Sequence, residues 1–348
     1  MDCETKLWLV VLFLFSSAIY CVVGEPQVPC IFIFGDSLSD NGNNNDLATE
    51  AKANYKPYGI DFPNGPTGRF TNGLTSVDII TDLLGFDHYI PPYANTNGTD
   101  IIQGVNYASG AAGIRSETGT HMGQDISMGL QLEQHKDIIS QIAMKLGSDK
   151  VQEHLNKCLY YVNTGSNDYL NNYFLPEHYP TNGMYNANQY AVALLREHST
   201  YLKTLYELGA RKFSLFGLSL IGCVPHGKNG SLCIEEQNNA ALIFNNKLKS
   251  VVDRFNKEFP DAMFIFINTA IITENSLKQE MTFLTCCNVG SSGQCIPNEE
   301  PCLDRNLHPF FDEFHPSEVV NKVLANMAYD SPVPAFAYPM DISHLVKL

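Results

Sequence analysis

The chain has 348 residues, which is enough for one large α/β domain or for two smaller ones. Apolar residues make up 44% of the chain, so a sizeable hydrophobic core is possible. The formal net charge is -15, and this acidic balance argues against nucleic acid or an anionic membrane surface as a partner, because both are bound through basic patches.

The first 24 residues are predicted to be a secretory signal peptide. Lys6 is followed by a continuous apolar run over 7–15, and then by a stretch with small residues up to Gly24. A membrane anchor is the alternative, but the apolar run is short for a bilayer span. We therefore expect cleavage near Gly24 and a secreted chain over 25–348, in which no stretch is long and apolar enough to cross a membrane.

Cysteines and glycosylation sequences agree with secretion. Of ten cysteines, eight follow the signal peptide, and an even number in a secreted chain favours disulfides. Cys223 and Cys233 are the best local pair, whereas the irregular spacing of the whole set argues against zinc. Asn97 and Asn229 begin Asn-X-Ser/Thr sequences in turn-rich stretches and are predicted glycosylation sites. The pairing of the remaining cysteines stays open: Cys30, Cys158, Cys286, Cys287, Cys295 and Cys302.

Short apolar runs separated by helix-like segments predict a parallel sheet that is covered by helices on both faces. The first run, 31–34, is apolar at every position and ends at Gly35, as expected of a buried parallel strand. No linker divides the chain, so we predict one α/β domain, a three-layer α/β/α sandwich with a central five-stranded, mostly parallel sheet. The other strands are expected near 101–107, 159–163, 213–217 and 263–267, and helices near 74–84, 127–145, 149–156, 190–209, 234–258 and from 316 onward.

Polar or glycine-rich turns follow the first three strands, and the turns after parallel strands lie at one edge of the sheet. Ser37 follows the first strand, and Asn167 follows the third. Between them in the chain, Gly110 and Ala111 follow the second strand. A serine at this edge can act as a nucleophile. Its own N–H, the N–H of Gly110 or Ala111 and the side-chain amide of Asn167 can together form an oxyanion hole.

Asp312 and His315, near the other end of the chain, can complete an acyl-transfer site. An acid and a histidine three residues apart can lie in one turn, so that the acid orients the imidazole. His315 can then remove the hydroxyl proton of Ser37, since histidine can act as a base near neutral pH. His308 is a rival base, but the residue three positions before it is Arg305 rather than an acid.

Four blocks of sequence carry a family resemblance: 34–42 (Phe-Gly-Asp-Ser-Leu-Ser-Asp-Asn-Gly), 106–113, 165–169 and 312–316. Together they resemble the plant-type GDSL esterase/lipase family of the SGNH hydrolases, over essentially the whole mature chain. The resemblance implies an SGNH hydrolase-like fold with Ser37, Asp312 and His315 as catalytic residues. It also implies Asn167 as the side-chain oxyanion donor and a backbone donor in the second block. Related members often carry glycine at the second position of the pair 110–111, so the donor within this pair stays open.

The predicted function is hydrolysis of carboxylic esters by a secreted serine esterase or lipase that forms an acyl-enzyme and needs no metal or cofactor. Asp36 and Asp40 lack the spacing of a calcium-binding EF-hand loop. The substrate is expected to be a small-molecule, lipid or cell-wall ester, and the resemblance implies an extracellular location such as the apoplast or cell wall. Nucleic acid and a stable membrane anchor are not expected, and the oligomeric state stays open. The alternatives are an acyltransferase that uses the same acyl-enzyme and a catalytically silent binding or defence protein on this scaffold.

Overall fold

The computed structural model describes residues 24–96, 100–226, 233–272 and 284–348. Residues 1–23 of the predicted signal peptide lie outside the described residues, as do both predicted glycosylation sites, Asn97 and Asn229. Within the described ranges, none of the helices combines the length and the apolar character that a bilayer crossing requires.

A six-stranded sheet forms the centre of the molecule, with strand order β2-β1-β3-β4-β5-β6. The first five strands are parallel, and β6 pairs with β5 in the antiparallel direction. This confirms the predicted fold class, although the sheet has six strands rather than five. The sixth has only two residues, too few to show an alternating pattern in the sequence. The strands are β1 (Ile31–Gly35), β2 (Gly104–Asn106), β3 (Leu159–Asn163), β4 (Lys212–Phe216), β5 (Met263–Ile267) and β6 (Ala337–Tyr338).

The second strand is shorter than predicted. Its expected first residues form a 3₁₀ helix, Asp100–Gln103, and the strand begins only at Gly104. Gly104 has φ 125°, a backbone conformation that favours glycine, and a Cβ at this position would lie 1.8 Å from the carbonyl oxygen of Ile31. The chain can therefore approach β1 this closely only at a residue without a side chain.

Helices cover both faces of the sheet, because alternate residues of each strand point to opposite sides. In β1, Phe32 and Phe34 belong to one hydrophobic core, while Ile31 and Ile33 belong to the other. The six predicted helices are present close to their expected positions, together with three short helices that the sequence pattern does not predict, Ser166–Asp168, Thr181–Met184 and Ile342–Leu345. In chain order, the α-helices of the described residues are α1 (Ser76–Leu83), α2 (Met128–Leu146), α3 (Ser148–Lys157), α4 (Ser166–Asp168), α5 (Thr181–Met184), α6 (Ala187–Glu207), α7 (Glu235–Glu258), α8 (Glu318–Tyr329) and α9 (Ile342–Leu345).

The described residues contain four disulfides, three of them local and one between distant parts of the chain. The predicted pair Cys223–Cys233 is confirmed. Cys30, which precedes β1, is bonded to Cys158, which precedes β3, so this disulfide joins two neighbouring strands at their starts. The other two pairs, Cys286–Cys302 and Cys287–Cys295, lie in the segment that precedes the Asp312 turn.

The strand order places the ends of β1 and β3 side by side. From β1 the chain first forms β2 on one side of that strand and then β3 on the other. Such a reversal creates a crevice beyond the carboxyl ends of the two strands, where ligands bind in open α/β sheets. Ser37 lies in the turn after β1, and Asn167 lies in α4, the short helix that follows β3.

Candidate active site

Ser37, His315 and Asp312 form a continuous line of hydrogen bonds at this edge of the sheet. The Nε2 atom of His315 lies 2.8 Å from Oγ of Ser37, and its Nδ1 atom lies 2.7 Å from Oδ2 of Asp312. Asp312 and His315 are buried, while Ser37 is partly exposed. The fold therefore brings the three side chains together although Ser37 and His315 are 278 positions apart.

The turn around Asp312 is shaped by its own side chain. Oδ1 of Asp312 accepts the backbone N–H groups of Phe314 and His315, each at 2.8 Å. Aspartate commonly forms such turns by accepting backbone N–H groups a few residues ahead. The N–H of Phe311 donates to the carbonyl of His315 at 2.8 Å, and the ring of Phe70 lies 4.9 Å from the imidazole. These contacts leave the imidazole little freedom to rotate away from Ser37.

A buried side chain of α2 anchors the end of β1, from which the turn that carries Ser37 begins. The Gln131 side chain accepts the N–H of Gly35 at 3.0 Å and donates to its carbonyl at 2.8 Å. Beyond the strand, the carbonyl of Asp36 accepts the N–H of Ser39 at 3.0 Å, which closes a tight turn. Within the described part of the chain, the N–H of Ser37 has no hydrogen-bond acceptor, so it remains available to a ligand.

The side-chain amide of Asn167 is held in a fixed orientation. Its Nδ2 atom donates to the carbonyl of Ala112 at 3.0 Å, and its Oδ1 atom accepts the amide of Asn171 at 2.7 Å. An amide nitrogen has two hydrogens, so one of them remains for a ligand. Asn167 and Ser37 line the same cavity.

The two predicted backbone donors differ in their contacts. The N–H of Gly110 donates to Oδ2 of Asp40 at 2.9 Å and is therefore occupied. Ala111 has φ 67° and lines the cavity, and its N–H has no acceptor among the residues described here. Between the two positions, the N–H of Ala111 is the one available to a ligand.

Buried asparagines tie the loops after β1 and β2 together, and sequence analysis did not identify them. Asn43 donates to the carbonyls of Asn106 (2.9 Å) and Ala108 (2.8 Å). Asn44 donates to the carbonyl of Gly110 at 3.0 Å. The sequence does contain a signal for them, a run of three asparagines at 43–45. An ordinary exposed loop needs polar residues, but it does not need three asparagines in succession. Side-chain amides are suited to this task because they can satisfy buried backbone groups.

The site opens into a cavity of about 430 Å³. Its walls are largely apolar, which favours binding of an apolar group beside the Ser37 hydroxyl. One part of the lining carries two histidines and two glutamates, so the cavity also offers polar contacts. The apolar lining includes Leu38, Phe70, Leu170, Leu175, Ile221, Val224, Phe314, Val320 and Leu324, and the charged or titratable lining includes Glu50, His121, Glu177 and His178.

The rival base His308 has other partners. Its Nε2 atom lies 3.4 Å from a carboxylate oxygen of Asp304, and its Nδ1 atom lies 3.4 Å from the carbonyl of Leu284. Two groupings of cysteine with histidine have distances that would suit a metal, one around Cys30 and Cys158 and one that includes Cys302 and His308. All three cysteines are in disulfides, so no thiolate is available at either place.

A mostly parallel α/β sheet with an Asp–His–Ser line of hydrogen bonds at its carboxyl edge resembles the arrangement found in serine hydrolases. Comparison with known proteins agrees: residues 31–327 match the family model of the GDSL-like Lipase/Acylhydrolase proteins. The chain belongs to this family. It is 46% identical to the GDSL esterase/lipase At1g29670 of Arabidopsis thaliana, with all of both chains covered. It is 45% identical to the GDSL esterase/lipase At1g29660 of the same plant, with 99% of this chain and 98% of the relative covered.

Asp36, beside the nucleophile position, is a buried acid with an incomplete set of partners. Burial raises its pKa from 3.8 to about 7, and the Leu38 N–H and the charge of His315 only partly oppose this effect. Its Oδ2 atom has no hydrogen-bond partner in the described part of the structure. Between pH 3.8 and about 7, the folded protein therefore holds a proton that the unfolded chain has released. The stability that this proton contributes is complete below pH 3.8 and is lost as the pH rises through about 7.

Replacing Asp36 by asparagine should weaken the pH dependence of stability. Asp36→Asn keeps the shape of the side chain but cannot titrate. We expect the free energy of unfolding to fall less between about pH 5 and pH 8 in this variant than in the unmodified protein, by on the order of 2 kcal/mol. Urea unfolding at the two pH values measures the difference. Asp46→Asn, at an exposed position in the same loop, is the matched control, and equal pH dependence in Asp36→Asn and the unmodified protein would contradict the prediction.

Proposed function

We propose that this protein is a carboxylic ester hydrolase that forms an acyl-enzyme on Ser37. The observation that carries the proposal is the unbroken line of hydrogen bonds from Asp312 through His315 to the Ser37 hydroxyl, which lies at a largely apolar cavity. The names of the relatives, esterase/lipase, support the same class of reaction. The apolar walls favour an ester with an apolar acyl or alcohol group.

The proposed reaction has two halves. His315 removes the proton of Ser37 as the hydroxyl oxygen attacks the ester carbonyl, and it then gives that proton to the departing alcohol. The acyl group is left on Ser37. A water molecule, deprotonated by the same imidazole, attacks the acyl-enzyme, and the proton returns to Ser37 as the acid leaves. Asp312 stays ionised throughout and stabilises the protonated imidazole.

We propose three donors for the negative oxygen of the tetrahedral intermediate. They are the N–H of Ser37, the N–H of Ala111 and the free hydrogen on Nδ2 of Asn167. All three residues line one cavity, and each N–H named here lacks a protein acceptor in the described residues. Gly110 is left out because its N–H already donates to Asp40.

We also propose that residues 1–24 are removed as a signal peptide and that 25–348 form one secreted domain. The pattern of charge and apolar residues at the start of the chain supports this, and so do four disulfides, which form and persist in oxidising compartments.

A fluorophosphonate probe tests the nucleophile directly, because it reacts covalently with activated serines. We expect one adduct per molecule, on Ser37, seen by intact mass and peptide mapping. His315→Ala should slow labelling by about 10³-fold or more, since the hydroxyl loses its base. His308→Ala is the matched control and should label at the unmodified rate. Folded, disulfide-intact protein that takes up no probe would count against the hydrolase proposal.

Asn167→Ala tests the side-chain oxyanion donor. Its amide is proposed to bind the oxygen more strongly in the transition state than in the substrate, so kcat should fall by about 10²- to 10³-fold while KM changes little. Steady-state hydrolysis of a p-nitrophenyl ester measures both constants. The same substitution at the exposed Asn326 controls for the loss of an amide as such. If kcat of Asn167→Ala stays within a few fold of the unmodified value, Asn167 is not a donor.

The secretion proposal predicts a new N terminus. When the full chain is expressed in a plant or yeast host, protein recovered from the medium should begin near Glu25. Intact mass and N-terminal sequencing locate the cleavage. Retention of Met1, or absence of the protein from the medium with the chain intact inside the cells, would contradict it.

A further inference from the structure

Tyr58 contacts the acid of the proposed catalytic set, although it does not line the cavity. It is fully buried, and its hydroxyl lies 2.5 Å from Oδ2 of Asp312. The same oxygen accepts Nδ1 of His315 at 2.7 Å. The phenol and the imidazole therefore share one carboxylate oxygen. A change in the negative charge on that oxygen, caused by the phenol, changes how strongly the oxygen attracts the imidazole.

The hydrogen bond runs from the phenol to the carboxylate. Burial and the charge of Asp312 hold the pKa of Tyr58 well above its usual value, so the phenol keeps its proton and donates it. Oδ1 of Asp312 is already taken by the N–H groups of Phe314 and His315. Asp312 has no exposed surface, so water cannot easily replace the phenol as a donor to Oδ2.

A series of contacts that begins and ends at Tyr58 holds its hydroxyl in place. The hydroxyl accepts the N–H of Cys295 at 3.2 Å. Cys295 is disulfide-bonded to Cys287, and the N–H of Cys287 donates to the carbonyl of Phe311 at 3.0 Å. Phe311 is the residue before Asp312, and its ring packs edge-on against Tyr58 with the centroids 5.7 Å apart. The disulfide segment thus fixes Tyr58 and Asp312 relative to each other.

We propose that Tyr58 is a positioning residue for ester hydrolysis, whose hydroxyl orients Asp312 and sets how tightly His315 holds its proton. This inference rests on the proposed function. A donor to a carboxylate draws negative charge toward itself, so the oxygen attracts a neighbouring imidazolium less strongly. Without the hydroxyl, the imidazole binds its proton more tightly and acts as a base only at higher pH.

The other titratable groups near Tyr58, Asp312 and His315 keep their side chains when Tyr58 is replaced by phenylalanine. The charge of His315 lowers the pKa of Asp36, and Tyr55 helps to raise the pKa of Tyr58. Glu313, the residue after Asp312, is paired with His226 at 2.8 Å. None of these groups is changed by removing one phenol oxygen.

Tyr58→Phe is the test, and Tyr55→Phe is its matched control. Tyr55 packs against Tyr58 with the ring centroids 5.3 Å apart, and its hydroxyl donates to the carbonyl of Cys295 instead of to Asp312.

The measurement is kcat/KM for a p-nitrophenyl ester between about pH 5 and pH 9. For Tyr58→Phe we expect the acid limb of the profile to move up by about half to one pH unit, so activity at the acid end falls about three- to tenfold relative to the plateau. Tyr55→Phe should keep the unmodified limb.

If Tyr58 had a purely structural role, Tyr58→Phe would lower the plateau of kcat/KM without moving the acid limb of the pH profile. Coincident acid limbs in the unmodified protein, Tyr58→Phe and Tyr55→Phe would overturn the inference. Partial unfolding of Tyr58→Phe does not remove the test. The rate constant for fluorophosphonate labelling of Ser37, followed over the same pH range, reports on folded molecules alone and should show the same displacement. Failure of the proposed function looks different: the unmodified protein would then neither hydrolyse the ester nor label at Ser37, and the inference would fall with it.

Discussion

The buried charge of Asp312 is the constraint on which the candidate site depends. A carboxylate without exposed surface is unfavourable unless hydrogen-bond donors surround it. Here the donors come from three sources: the backbone of its own turn, the imidazole of His315 and the phenol of Tyr58. Tyr58 is 254 positions away from Asp312 in the chain. Its hydroxyl accepts the N–H of Cys295, a residue that the disulfide with Cys287 holds in place. The set of donors around this carboxylate is therefore complete only after distant parts of the chain have met.

Much of the fold could be predicted because its signals are local. The third and fifth strands, 159–163 and 263–267, have the bounds expected from the sequence, since each is a short run without a breaker between two turn signals. Parallel pairing then fixes where the turns lie. Ser37 and Asn167 were expected at one edge because each follows a strand, and the strand order places those two strands next to each other.

The remaining features depend on contacts between distant residues, which no local pattern reports. The two-residue β6 exists only because β5 offers it an edge to pair with. The partner of Cys30 is set by the adjacency of β1 and β3, across a separation of 128 residues. Tyr58 shows no signal of its own, since a tyrosine in a loop gives no indication of a carboxylate far along the chain. Asn43 and Asn44 are intermediate cases: their run was visible, but their acceptors, the carbonyls of the loop after β2, were not.

Ala111 shows what the buried polar network accomplishes. Its φ of 67° is a conformation that costs a residue with a Cβ roughly 1 kcal/mol. The strain persists because the residue before it is held at both backbone groups: the N–H of Gly110 by Asp40 and its carbonyl by Asn44. Ala111, the next residue, lines the cavity, and its N–H has no acceptor among the residues that the structure describes. Gly110 thus serves the structure with both of its backbone groups, and the strained residue after it is the one with an N–H available to a ligand, as is common at functional sites that the surrounding structure holds in place.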